Sequence, residues 1–437
     1  MLVQTKCGSL QGVRENGHWV FKGVPYAKPP VGALRWKAPE PPQPWEGVLT
    51  ADRFRARCPQ TARQPGSFYD REFDDPATSA VPLSEDCLYL NLWVPEHTPE
   101  EKLPVAVWIH GGAFLTGCGF EKQFDGKAMA DRGVILVTIN YRLGVWGFLA
   151  HPWLREESGV SGNYGILDQI AALKWVQENI AAFGGDKNNV TVFGQSAGAM
   201  SVLTLISSEL SRGLFARAIV QSGLGLESGR PLEQAEEDGL AFSQAAGAEN
   251  LEQLRRLPTE QVSRLAGPLI SKGFQSGGGL TFSPVVDGYV LKEGYHELWR
   301  QGKMHPVPYL IGCNREDMRS DPQALARGEQ GGMYHAMEDF ARQACPNTPV
   351  YAYYFTRQMP GDNSGAFHSA ELWYVFGTMD RAWRPWTPED HRLCDQILSC
   401  WTRFMKTGNP NENGQESWPA YTLESPHIQI LDVKSGT

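Results

Sequence analysis

The pentapeptide Gly194-Gln195-Ser196-Ala197-Gly198 constrains this chain more than any other feature. It follows the strand-like run Val190–Phe193 and opens a stretch of helical character, so the backbone must turn sharply from strand to helix about Ser196. A serine held in such a strained turn leaves no room for side chains at the flanking positions, and glycines occupy them. The hydroxyl then stands in the open at a helix N-terminus, where unpaired N–H groups and the helix dipole favour negative charge developing beside it. Ser196 is therefore the candidate nucleophile. Two fixed glycines around a serine also arise by chance in a chain with 46 glycines, so the neighbouring segments decide.

On the N-terminal side, the apolar strand Val105–Ile109 runs directly into His110-Gly111-Gly112-Ala113-Phe114. An oxyanion hole needs backbone N–H donors that can approach a substrate carbonyl, and small residues in a turn after a strand supply them. Gly112, Ala113 and Ala197 are the candidate donors. A second strand at Val134–Ile139 follows, then Ile166, Leu167, Ile170, Leu173, Val176 and Ile180 recur at three- and four-residue intervals, which predicts a helix with one face on a sheet. The conjunction of strand, HGGAF, strand, helix, strand and GxSxG describes an α/β-hydrolase fold: a central, mostly parallel twisted sheet flanked by helices. Val3 to Tyr26, with turns at Gly8, Gly12 and Asn16-Gly17, predicts a small antiparallel edge. Pro231 to Gly267 shifts to Glu, Gln, Arg, Leu and Ala and predicts helices of a cap.

Longer motifs carry a resemblance. Glu85-Asp86-Cys87-Leu88-Tyr89-Leu90-Asn91, the HGGAF segment, Asn140-Tyr141-Arg142, Gly162-Asn163-Tyr164-Gly165, Phe183-Gly184-Gly185-Asp186 and FGQSAGA together resemble the type-B carboxylesterase family, from about Val3 to about Tyr421. The resemblance implies a serine esterase in a single catalytic domain over 1–437, with cap insertions near 225–300 and 318–348. It implies ion pairs between Arg35 and Glu85 and between Arg142 and Asp168, and places Tyr89, Phe114 and Trp373 as candidate lining of the gorge. Cys58 and Cys87 fall where the family often closes a loop with a disulfide. A reducing compartment argues for thiols instead.

A serine nucleophile needs a base and an orienting acid, which follow it in that fold in the order serine, acid, histidine. Of the histidines downstream, His368 is the choice. It comes after the strand Val350–Phe355 and a turn-rich loop, and Gly365-Ala366-Phe367-His368-Ser369-Ala370-Glu371-Leu372 resembles the family's histidine segment. The acid departs from the family. Most relatives place Asp-Glu-Gly after the strand equivalent to Pro308–Ile311, with glutamate as the acid; here the order is Asn314-Arg315-Glu316-Asp317-Met318. Position matching makes Asp317 the acid and Glu316 the alternative. An aspartate is one methylene shorter, so its loop must approach the imidazole more closely. Ser196 to Asp317 spans 121 positions, ordinary for the family, whereas Asp317 to His368 spans only 51, which predicts a reduced helical cap and a more open site.

Composition narrows the function classes. A net charge of −9 with no basic stripe argues against nucleic-acid partners. No run approaches the roughly 20 apolar residues of a membrane span, and Met1 to Lys6 has no apolar signal core, so a cytoplasmic location is expected. None of the eight cysteines is spaced as a zinc site, and neither metal nor organic cofactor is expected. The expected partner is a small-molecule ester, and the expected state a monomer. The reading is a serine carboxylic-ester hydrolase acting through an acyl-enzyme on short-chain or aromatic esters. The alternatives are a non-catalytic scaffold of the same family, or an amidase or lactonase using the same triad.

Overall fold

In the computed structural model, which describes residues 1–433 except 97, 99, 276–278, 319, 413 and 415–416, unbroken apolar runs become central strands. Such runs mark strands covered on both faces. Every residue of Leu103–Ile109 and of Ile135–Ile139 is buried. The strands are β1 (Leu2–Gln4), β2 (Ser9–Glu15), β3 (His18–Pro25), β4 (Val48–Ala51), β5 (Tyr89–Val94), β6 (Leu103–Ile109), β7 (Ile135–Ile139), β8 (Gly185–Gln195), β9 (Arg217–Gln221), β10 (Arg230–Pro231), β11 (Val285–Val286), β12 (Tyr309–Asn314), β13 (Val350–Phe355) and β14 (Ile428–Leu431). The main sheet runs β1-β2-β3-β5-β7-β6-β8-β9-β12-β13-β14, with β4 beside β2. From β7 to β14 every pairing is parallel. β1, β2, β3 and β5 form an antiparallel edge that joins β7, while β4 lies parallel to β2.

The period of two along a strand divides the core between two faces. Val105, Val107 and Ile109 of β6 join one cluster with Leu173 and Val176 of the helix Tyr164–Asn179 and with Val202 and Ile206 of the helix Ala197–Ser207. The intervening Ala106 and Trp108 join the opposite cluster with Phe376 and with Ile397, Trp401 and Phe404 of the helix Pro388–Thr407. A helix layer thus covers each face.

Two buried ion pairs brace the N-terminal half. Arg35 meets Glu85 through two bonds of 2.7 Å, and its remaining nitrogen donates to the carbonyls of Arg255 and Leu257, tying this loop to the helical segment at Leu251–Arg255. Arg142 pairs with Asp168 at 2.7 and 2.8 Å. The region 232–275 is helical at Leu232–Ala246, Leu251–Arg255 and Thr259–Gln275. One expectation needs correction, and the thiol reading of Cys58 and Cys87 holds. Phe114 and Trp373 are fully buried, with the Trp373 indole donating to Glu72, so they are core and not a gorge wall. Cys58 and Cys87 lie buried as thiols, and Cys58 Sγ accepts the Leu143 N–H at 3.2 Å. No helix among the described residues is long and apolar enough to cross a membrane.

Candidate active site

Four strands of the parallel part of the sheet, β6, β8, β12 and β13, carry the candidate site residues at or beyond their C-terminal ends. β8 ends in Gln195 and passes directly into Ser196, which sits at φ 58° and ψ −126° as N-cap of the helix Ala197–Ser207. That backbone is costly for a non-glycine residue and is held by its surroundings. The glycines beside it are forced: a Cβ on Gly198 would lie 2.0 Å from the Ile109 carbonyl, and one on Gly194 would lie 2.5 Å from Gly198. β6 leads into the loop with Gly112 at φ 103° and Ala113 at φ 56°. There the Gly112 carbonyl accepts the N–H groups of Leu115 and Thr116 at 2.9 and 3.0 Å. The N–H groups of Gly112 and Ala113 have no acceptor among the described residues, and the Ala197 N–H, in the first helical turn, lacks one as well. All three are unspent donors beside the serine.

β12 and β13 supply the other two groups. Asp317 and His368 are both buried, and His368 Nδ1 hydrogen-bonds Asp317 Oδ1. Asp317 also accepts the backbone N–H of Asn314 at 3.0 Å and of Met318 at 2.9 Å. Burial alone would push this carboxyl up, but the imidazole and these donors outweigh it and hold it below the ordinary aspartate range. Asp317 is therefore an ionised acceptor, which fixes the proton of neutral His368 on Nδ1 and the lone pair on Nε2. Burial pulls the ring's pKa down, and the facing Asp317 charge more than restores it, leaving it above the ordinary histidine value.

Glu316 points elsewhere. Its carboxylate accepts the Ala366 N–H at 2.7 Å while its own N–H donates to the Ala366 carbonyl at 3.2 Å, a bridge that zips the acid loop to the histidine loop. This draws the two loops together, which is how a short aspartate reaches the imidazole.

Three neighbours carried no functional assignment in the sequence. The Gln195 side-chain nitrogen lies 3.2 Å from His368 Nε2. Glu371, one turn beyond His368, is 1% exposed and accepts from Asn314 at 2.6 Å and Gln221 at 3.2 Å. Burial, with Asp317 nearby, raises its pKa to about 7. Tyr69 donates its hydroxyl to the His368 carbonyl at 3.3 Å from the short helix Phe68–Phe73. The position of Gln195 inside the nucleophile motif and of Glu371 within the histidine segment were the available signals. Beside His368 opens a cavity of ≈ 500 Å³ whose walls include Phe68, Tyr69, Glu316, Met318 and Phe367.

The chain matches the profile of the Carboxylesterase family over residues 1–331 and 331–436. It is 38% identical over 477 residues to the para-nitrobenzyl esterase of Bacillus subtilis (strain 168), covering 99% of this chain and 94% of that protein. Since this chain has 437 residues, at least 40 of those 477 aligned positions (477 − 437 = 40) have no counterpart in it. It is 35% identical over 475 residues to the fumonisin B1 esterase of Sphingopyxis macrogoltabida, covering 95% of this chain and 84% of that one. A solved thermophilic PNB esterase superposes with a TM-score of 0.87 at 36% identity, covering 99% of this chain and 96% of its own.

Proposed function

The chain belongs to the carboxylesterase family and has its α/β-hydrolase fold, and from that premise we propose that Ser196, His368 and Asp317 hydrolyse short-chain or aromatic esters of small molecules. One observation carries the assignment: the buried Asp317 carboxyl hydrogen-bonds His368 Nδ1 at the strand ends where Ser196 is presented. His368 Nε2 takes the Ser196 proton as the oxygen attacks the ester carbonyl. The oxyanion forms against the N–H groups of Gly112, Ala113 and Ala197. The imidazolium then protonates the departing alcohol, and water, deprotonated by the same nitrogen, releases the acid. The proton must reach the leaving oxygen from the ring, so the alcohol lies on the His368 side, where the cavity has Phe68, Tyr69 and Phe367 on its wall beside the polar Glu316, Asp362, Asn363 and Ser364 and would take an aromatic group against those rings. Glu316, engaged with Ala366, is a loop clamp and not the acid. In this reading 1–437 is one catalytic domain, and 225–300 and 318–348 are cap insertions.

Ser196→Ala is the test. Loss of the nucleophile costs about 10⁶ in kcat in comparable triads. Turnover of para-nitrophenyl esters should vanish together with labelling by an organophosphonate probe, while thermal unfolding stays near wild type. Turnover surviving in the variant overturns the assignment, and a series of acyl chain lengths then fixes the acyl preference.

A further inference from the structure

Gln195 presents its side-chain amide to the one ring nitrogen that the mechanism needs free. It ends β8, is 3% exposed, and its nitrogen stands 3.2 Å from His368 Nε2. Because Asp317 fixes the other proton on Nδ1, neutral Nε2 can only accept, so the amide donates. A neutral nitrogen has a single lone pair, so in the proposed mechanism the Ser196 hydroxyl must take it from Gln195. Turned over, the same amide presents its carbonyl oxygen, the acceptor that a protonated Nε2–H requires. A carboxylate at this position could only accept.

We infer that Gln195 is a positioning residue of the hydrolytic site, whose amide holds the His368 ring in both of its protonation states and keeps the base neutral where a glutamate would charge it. The inference rests on the reading of His368 as the base. In the resting enzyme the amide N–H steadies the lone pair. On attack, Ser196 displaces it. Once the proton has moved to Nε2, the rotated amide oxygen holds the imidazolium until the leaving alkoxide collects that proton.

The other charged and titratable groups around the ring do not duplicate this. Asp317 faces Nδ1, and Glu371 acts on the ring by its field from within the same segment. Glu316 is bound to the Ala366 N–H, Tyr69 to the His368 carbonyl, and Arg384, over the Phe367 ring, is paired with Glu72. Among the described residues, Asp317 and Gln195 are the hydrogen-bond partners of the imidazole.

The test is the pH dependence of kcat/KM in Gln195→Glu and Gln195→Met, read beside the pH dependence of organophosphonate labelling at Ser196. An acceptor-only carboxylate stabilises the imidazolium, so in Gln195→Glu the acid limb should move up by about one pH unit, a roughly tenfold loss below the midpoint. Activity should recover at high pH. Gln195→Met, which removes the donor to neutral Nε2 and the acceptor to its protonated form together and adds no charge, should move it by less than Gln195→Glu does. The downfield proton resonance of His368 Nδ1–H should titrate with the same shifted midpoints, which reads the ring independently of turnover. Acid limbs that overlay wild type in both folded variants, or a loss that is uniform across pH, overturn the inference. The underlying reading fails differently, through a Ser196→Ala enzyme that still turns over.

Discussion

A histidine that works as a base has to be neutral while the acid beside it stays charged, and single residues around His368 set both conditions. Asp317 keeps its charge against burial because two backbone N–H groups and the ring itself address its oxygens. That charge raises the ring's pKa above the ordinary 6.5, so activity, which needs the neutral ring, should rise with pH through a midpoint above that value. A kcat/KM profile with its acid limb centred below it contradicts the placement. Glu371 supplies a second pH signature. Its pKa stands near 7 in the folded chain against an ordinary 4.5. Below the lower value both states are protonated and folding is unaffected; as pH climbs to the upper value, the buried carboxyl progressively costs stability. Measured by urea unfolding, Glu371→Gln should therefore gain about 3 kcal/mol on wild type between those limits. A difference that stays flat with pH contradicts it. At this scale Ser196 and His368 were legible because each sits in a long motif. The Gln195 contact was not, since it depends on how a flexible side chain is turned within the folded site.

Between elements, the question is how two loops from adjacent strands hold a histidine and an acid in register. β12 and β13 pair in parallel up to Asn314 and Phe355, and beyond them Glu316 continues the connection to Ala366 by backbone and side chain. Gly365, at φ 68°, accommodates that approach, because a Cβ there would stand 2.5 Å from the Glu316 carboxyl carbon. The helix Phe68–Phe73 is latched over the same loop. Buried Glu72 accepts from Arg384 at 2.8 and 3.0 Å and from the indoles of Trp373 and Trp383 at 2.9 Å. Glu316→Ala should loosen the histidine loop, lowering kcat on the order of 10- to 100-fold with little change in KM, since misplacing a catalytic group by a fraction of an ångström slows chemistry more than binding. Steady-state kinetics at saturating ester measures this; a change confined to KM points to a substrate contact instead. The strands were legible from their apolar runs and the helices from their periodicity. The clamp was not, because adjacent carboxylates at 316 and 317 are equivalent until the loop's twist sends one to the imidazole and the other to a neighbouring backbone.

Across the whole molecule, the sheet order brings the ends of β6, β8, β12 and β13 into one crevice although the residues they carry are spread from Gly112 to His368. That convergence follows from the alternation of strand and helix, which makes a parallel sheet and places its loops at one edge. Less legible is how much of the crevice is covered. The separation of 51 positions from acid to histidine holds the short helix Pro322–Ala326, the helix Gly332–Ala344 and β13. Around His368 the cavity of ≈ 500 Å³ remains, with Tyr69 40% and Met318 47% exposed at its wall. An open wall excludes little. A closed pocket discriminates by about 1–3 kcal/mol for each methylene that fits or clashes, so an enclosed alcohol site would lose rate steeply as the alcohol grows. Here a panel of acetate esters from methyl through benzyl to naphthyl alcohols should keep kcat/KM within about tenfold or rise with ring size, because aromatic faces at Phe68, Tyr69 and Phe367 add contact area without a barrier. Turnover restricted to the smallest alcohols would mean that the helices of the 225–300 segment close over the crevice. Holding the acyl group constant isolates the effect, since the oxyanion hole and Ser196 then meet the same carbonyl throughout.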